Sequence, residues 1–252
     1  MRTARALVPL ALLLPLAACG GGEDAAGDGD ELSGTITVSA AASLTGTFTE
    51  LAEQFQDEHP DVEVELVFDS SGTLADQANE GAPGDVLATA DTASMERAVD
   101  AQAGSPVTFA TNDLVLVAPI DNPAGIADLS SLDDPSVTYV ICVETAPCGG
   151  LAQEALEEAG ITNEPASLEP DVKATLSRVV ADEADAGLVY RTDALAEEDA
   201  VVSFDLPTPL ATEYPITRLD QSRNPDAAQA FIDLVLSEVG SSVFSEAGFG
   251  TP

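Results

Sequence analysis

The sequence predicts an α/β fold built on mostly parallel sheets. Three observations lead there. From residue 35 onward, short apolar runs alternate with stretches of helical period, the pattern of strand–helix units. Apolar residues make up 45% of the 252, enough for one large domain or two modest lobes, each with its own core, and no repeat of solenoid length is visible. Several strand-to-helix junctions carry small polar residues, and in such sheets ligands bind at the carboxyl ends of strands, where helices begin.

The elements follow in order. Ile36, Thr37 and Val38 read as a first strand. Phe48, Leu51, Ala52 and Phe55 recur at helical spacing. Val62, Val64, Leu66 and Phe68 alternate as a second strand does, and a helix follows over about 73–80. Asp85 to Ala88 is a third strand, followed by a helix over 93–101. Leu114 to Val117 and Val137 to Val143 are strong strands. After Gly149 a helix carries Leu151, Ala155, Leu156 and Ala159, and Val172, Leu176, Val179 and Val180 form another helical face. Strands are expected at 187–190, 201–204 and 215–219. A last long helix opens at Asn224-Pro225, with Asn as N-cap and Pro as first residue, and with Phe231, Leu234 and Val235 facing its core. Aromatic residues are scarce and Trp is absent, so the interior is expected to be mostly Ala, Val and Leu.

The chain begins with a targeting pattern. Arg2 and Arg5 precede an apolar run over 6–14 that is too short to span a bilayer. Leu16-Ala17-Ala18-Cys19 resembles a bacterial lipobox, which makes 1–18 a lipoprotein signal peptide. Cys19 is then the lipidated mature N-terminus, and two acyl chains hold where one would be marginal. The alternative is an ordinary secretory signal with a coincidental cysteine. Residues 19–33 are Gly- and acid-rich and read as a flexible tether. The protein is thus expected to be extracytoplasmic and anchored to the cell membrane. In that compartment the remaining cysteines, Cys142 and Cys148, are expected to form a disulfide that stiffens the loop between them.

Charge excludes some partners. Eight Lys and Arg face 45 Asp and Glu, a net charge of −37, and loss of the leader removes Arg2 and Arg5 and makes it more negative. Such a surface repels nucleic acid and anionic headgroups, and serves at least as a solubility or salt-tolerance device. An anion site in this protein must therefore work through local donors. The junctions supply them: Ala40 to Thr45, Asp69 to Thr73, Pro147 to Gly150, and Glu169 to Val172 each stand where a helix begins. Helix starts offer unpaired N–H groups and a positive dipole end, and Ser hydroxyls add donors without charge. For any single Ser, N-capping is a sufficient explanation; it is the set of junctions that points to an anion.

The order and spacing of several motifs resemble the periplasmic molybdate-binding protein family, the substrate-binding component of the molybdate ABC importer, over about residues 35–250. These are AAASLT (40–45), SSGTLADQ (70–77), GAPGDV (81–86), TADTASM (89–95), LVLVAP (114–119), APCGGLAQEAL (146–156), DVKATLSRV (171–179), GLVYRTDA (187–194) and EAGF (246–249). The resemblance implies a two-lobed periplasmic-binding-protein fold of type II, with the ligand in the interlobe cleft. It implies lobe one at 34–111 plus 208–252 and lobe two at 112–207. It also implies an oxyanion site made by the Ser43, Ser71 and Tyr190 hydroxyls and the backbone at Cys148 and Val172. Cys148 departs from the Ala common in the family, which is tolerable where only the N–H is used. Asp69 and Asp171 are expected to turn outward, and Arg191 to point to the opposite face.

The implied function is capture of molybdate or tungstate for an ATP-driven permease, by a monomer without cofactor or protein-ligated metal. An all-donor site favours fully deprotonated oxyanions, because the proton of hydrogen phosphate needs an acceptor. Sulfate or another tetrahedral oxyanion is the nearest alternative. A secreted hydrolase lacks support: His59 is the single histidine, and neither a G-x-S-x-G motif nor metal-ligand spacing is present. A purely structural lipoprotein would not require polar junctions in this order.

Overall fold

A computed structural model describes residues 31–252. The signal segment 1–18, Cys19 and most of the tether lie outside the described residues. Residues 32–252 form one compact unit.

The first strand, β1 (Gly34–Ala41), pairs in parallel with β2 (Val62–Asp69) and with β3 (Val86–Ala88). The helix α1 (Thr45–Glu58) joins β1 to β2 and buries Phe48, Leu51, Ala52 and Phe55, the helical face expected from the spacing. Helices α2 (Ser71–Asn79) and α3 (Thr92–Arg97) follow β2 and β3. The next strand, β4, runs over Val107–Pro119. Beyond it come β5 (Tyr139–Cys142), α4 (Pro147–Ala159), β6 (Ser167–Glu169), α5 (Val172–Val180), β7 (Ala186–Tyr190), α6 (Arg191–Ala196) and β8 (Val201–Asp205). The chain ends with β9 (Ala211–Arg218), α7 (Pro225–Val235) and α8 (Glu238–Glu246).

Two portions of sheet share β4. Val107 to Asp113 pair with β9, while Leu114 to Pro119 pair with β7 and β8. The order is therefore β2-β1-β3-β9-β4 in one portion and β6-β5-β7-β4-β8 in the other. Both follow one plan: three parallel strands, then an antiparallel strand arriving from the other portion, then a final antiparallel one. This is the two-lobed α/β arrangement. Half of the eight strand pairings are antiparallel, because β4 and β9 each leave one portion and run back along the other.

Several elements differ from the sequence reading. The strand expected at 114–117 begins seven residues earlier; residues 107–113 are less apolar because that half pairs with only one neighbour and is less buried. The short strand β6 and helix α6 carry no apolar periodicity of their own; long-range pairing and packing set them. The last helix is two. Ser237 interrupts it and caps α8, its hydroxyl accepting from the Val239 and Gly240 N–H groups. Asn224 is not a side-chain cap for α7: its amide donates to the Ser33 carbonyl at 2.8 Å.

The core is mostly Ala, Val and Leu, as the composition implies. Six aromatics, Phe48, Phe109, Phe231, Phe244, Phe249 and Tyr214, gather in one cluster with several edge contacts. A smaller core of Leu74, Leu87, Met95 and Leu219 lies under α2 and α3.

Candidate functional site

Four helical segments begin around one small cavity. The 3₁₀ turn 42–44 follows β1, α2 follows β2, α5 follows β6, and α4 begins at Pro147, five residues after β5. The wall comprises residues 41–43, 69–71 and Ala90 from one portion, and 146–148, Asp171, Val172 and Tyr190 from the other. All five residues expected at the site, Ser43, Ser71, Cys148, Val172 and Tyr190, are in it. The cavity measures about 20 Å³, the scale of a small inorganic ion and not of a sugar or peptide.

Among the described residues the wall holds no Lys or Arg, so the donors it can offer are backbone N–H groups and hydroxyls. Cys148 and Val172 occupy the first turns of α4 and α5, where N–H groups have no carbonyl four residues back within the helix. Val172 is buried. Asp171 caps α5 by accepting from the Ala174 N–H at 2.9 Å. Cys148 is joined to Cys142 by a disulfide, Cα–Cα 5.8 Å, which ties the start of α4 to the end of β5. Gly149 follows because a Cβ there would lie 1.9 Å from the Val143 carbonyl oxygen.

Neither serine is an N-cap. Ser71 is the first residue of α2, and its hydroxyl oxygen accepts from the Ala90 N–H at 2.9 Å. Ser43 lies inside the 3₁₀ turn, its hydroxyl 3.0 Å from that of Tyr214. The capping explanation therefore does not account for them. Tyr190 ends β7 fully buried, and its hydroxyl has no hydrogen-bond partner among the described residues. Burial, with Tyr214, Asp91 and Asp193 adding to it, pushes the phenol well above its ordinary range, so the group remains a donor.

Asp69 and Asp171 are among the lining residues. One oxygen of Asp69 accepts from the Ser70 N–H at 2.7 Å and one of Asp171 caps α5, so each carboxylate is held by its own loop. Arg191 is absent from the wall and pairs with Asp205 at 2.8 Å. Behind the cavity, the carboxylate of Asp193 is buried. Burial raises it above the usual carboxylate range, against the opposing pull of Lys173, whose Nζ lies 2.8 Å away.

Residues that sequence reasoning missed stand behind the serines. Tyr214 and Thr212 lie two apart on β9 and so share a face. Tyr214 meets Ser43, while the Thr212 hydroxyl donates to the carbonyl of Ala90, whose N–H holds Ser71. Asn112 on β4 donates to the Tyr214 and Thr192 hydroxyls. These contacts span 80 to 171 residues of sequence, and no local spacing announces them.

Residues 36–250 match the family described as bacterial extracellular solute-binding protein. The chain is 36% identical over 252 residues to the molybdate-binding protein ModA of Mycobacterium tuberculosis, covering 98% of this chain and 97% of that one. Among solved structures it resembles the periplasmic molybdate-binding protein of Azotobacter vinelandii, with TM-score 0.74, 21% identity, and coverage of 86% and 99%. It also resembles the sulfate-binding protein SubI of M. tuberculosis, with TM-score 0.77, 17% identity, and coverage of 85% and 86%. At those identities the structures show the fold alone.

Proposed function

The chain belongs to the bacterial extracellular solute-binding proteins, and from that premise we propose that it captures molybdate, and tungstate with it, outside the cytoplasm for delivery to an ATP-driven membrane importer. It acts as the binding component of transport and not as an enzyme. The observation that carries the reading is the Tyr190 hydroxyl, a buried donor without a partner in a cavity walled by helix starts and free of cations. Native structures seldom leave such a group unpaired, and an anion accepting from it completes the site.

The remaining donors fit the same ligand. Ser43, Ser71 and the backbone at Cys148 and Val172 supply N–H and O–H groups from both portions of the sheet. Charge-assisted hydrogen bonds contribute about 1.5–3 kcal/mol each, so several offset much of a dianion's desolvation. Fixed dipoles act at contact distance, whereas the protein's distant carboxylates are screened by salt within about 8–10 Å. Molybdate is preferred to sulfate because the extended sequence identity is with a molybdate-binding protein, while the likeness to the sulfate-binding protein is one of fold.

The lobes are taken as 34–111 plus 208–252 and 112–207, with β4 and β9 as the crossings and ligand binding favouring the closed arrangement. Cys19 is taken as the lipid anchor, and the binding unit as a monomer that needs neither cofactor nor nucleic acid. Calorimetric titration of protein lacking residues 1–19 tests the function. Saturable heat at one site is expected with molybdate and tungstate, weaker binding with sulfate, and least with phosphate. Absence of heat and of thermal stabilisation with the first two contradicts the proposal.

A further inference from the structure

The geometry points to Asn112 and Tyr214 as a specificity device that turns the Ser43 hydroxyl proton toward the ligand. This rests on the oxyanion reading and adds the residues that enforce it.

The direction of each hydrogen bond follows from what is buried. The Asn112 carbonyl oxygen accepts from the Asp113 N–H at 3.0 Å, which fixes the amide orientation. Its Nδ2 therefore faces the Thr192 hydroxyl at 2.8 Å and the Tyr214 hydroxyl at 3.3 Å, and can only donate to both. Tyr214 is fully buried, and burial pushes its phenol above the ordinary range, so its proton stays in place. Among the described residues its hydroxyl meets only Asn112 and Ser43. Asn112 offers it no acceptor, so the phenolic proton has one destination, the Ser43 oxygen. Were Ser43 to donate to Tyr214 instead, the phenolic proton would be stranded in the core. Ser43 is left with its own proton for the cavity and one of its two lone pairs already engaged.

Ser71 is set the same way, its oxygen taken by the Ala90 N–H. With both serine oxygens engaged and Tyr190 a free donor, the hydroxyls present protons to the cavity. A ligand that carries a proton of its own meets on Ser43 and Ser71 hydroxyls whose protons face it and whose oxygens each have one lone pair already taken. Tyr214 is thus a positioning residue: it touches Ser43, and through it selects against protonated anions. Its ring is held by Phe249, whose centroid is 5.3 Å away at 90°, and by Phe109 at 6.2 Å, so the hydroxyl has little freedom to turn aside.

Sulfate and hydrogen phosphate test this cleanly, because they are nearly equal in size and differ by one proton. Each displaces molybdate from wild type and from Tyr214→Phe at pH 8, with the folded state of the variant checked by its melting transition. In Tyr214→Phe the Ser43 oxygen is freed to accept. The preference for sulfate over hydrogen phosphate is expected to narrow by about tenfold or more, the scale of one buried hydrogen bond. Asn112→Asp gives a second route: a carboxylate at that position accepts the phenolic proton and turns it away from Ser43. It weakens all anions by charge, yet the same narrowing is expected. An unchanged preference in the folded variants overturns the inference even if molybdate affinity falls. Failure of wild type to bind any dianion would instead sink the oxyanion reading beneath it.

Discussion

Gly72 lies so close to Thr145 that a Cβ on it would stand 2.4 Å from the Thr145 carbonyl oxygen. The two residues come from different portions of the sheet: Gly72 follows Ser71 at the start of α2, and Thr145 lies in the loop that leads to Cys148. The absence of a side chain is what lets these two walls of the cavity meet. Gly72→Ala should leave the fold intact, since Ala suits a helix better than Gly by about 1 kcal/mol. Molybdate affinity should nevertheless fall about tenfold or more. Small-angle scattering should show that ligand compacts the wild type and compacts the variant less.

Tyr190→Phe separates binding from stability. The hydroxyl has no partner among the described residues, so its removal should leave the melting temperature of the free protein unchanged or slightly higher. Its hydrogen bond to an anion would be lost, for a cost of about 1.5–3 kcal/mol, roughly ten- to hundredfold in Kd. A melting curve beside a titration checks both halves. Loss of stability with unchanged affinity would make Tyr190 a packing residue.

Ser71→Ala is expected to weaken molybdate by a similar factor, and also to leave the Ala90 N–H without its acceptor. Both affinity and stability should fall, the latter by about 1–3 kcal/mol. That pairing distinguishes it from Tyr190→Phe in the same two measurements.

What could be read from the sequence was what lies close in sequence. The polar junctions at Ser43, Ser71, Cys148 and Val172 each stand at a helix start, and strand–helix alternation places helix starts at one edge of a sheet. Tyr214, Thr212 and Asn112 could not be read this way. Their roles depend on β9 and β4 crossing between the two portions, which is decided by tertiary pairing. Within the site, the sequence left Ser43 and Ser71 open to N-capping; their positions inside the 3₁₀ turn and at the first residue of α2 exclude it. For Asp69 and Asp171 no partner could be read from the sequence; each carboxylate accepts from a backbone N–H close by in the chain.

The disulfide should matter more to stability than to affinity. Replacing Cys142 and Cys148 together by Ala should cost about 2 kcal/mol by chain entropy for so short a loop, visible in denaturant unfolding. Cys148 serves the cavity through its N–H, which Ala also provides. Kd for molybdate should therefore change by less than the factor expected for Tyr190→Phe.

Asp193 gives a pH signature. Its carboxyl is raised in the folded state, chiefly by burial, so between the unfolded value near 3.8 and the folded value the native state holds more protons. This group therefore opposes folding at neutral pH, and its penalty is relieved as pH falls toward 4. Asp193→Asn should raise the melting temperature at pH 7, with the gain shrinking as the pH is lowered through 5 to 4. A loss at pH 7 that shrinks on acidification would mean that the Lys173 pair outweighs burial.

The central claim is that one molybdate sits among the helix starts, held without cations. Crystals of the complex measured at the molybdenum absorption edge locate the metal directly. The account requires a single anomalous peak in the cavity between Ser43, Ser71 and Cys148, with an oxygen of the anion within about 3 Å of the Tyr190 hydroxyl. A peak elsewhere on the protein, or none in that cavity at saturating molybdate, would contradict it.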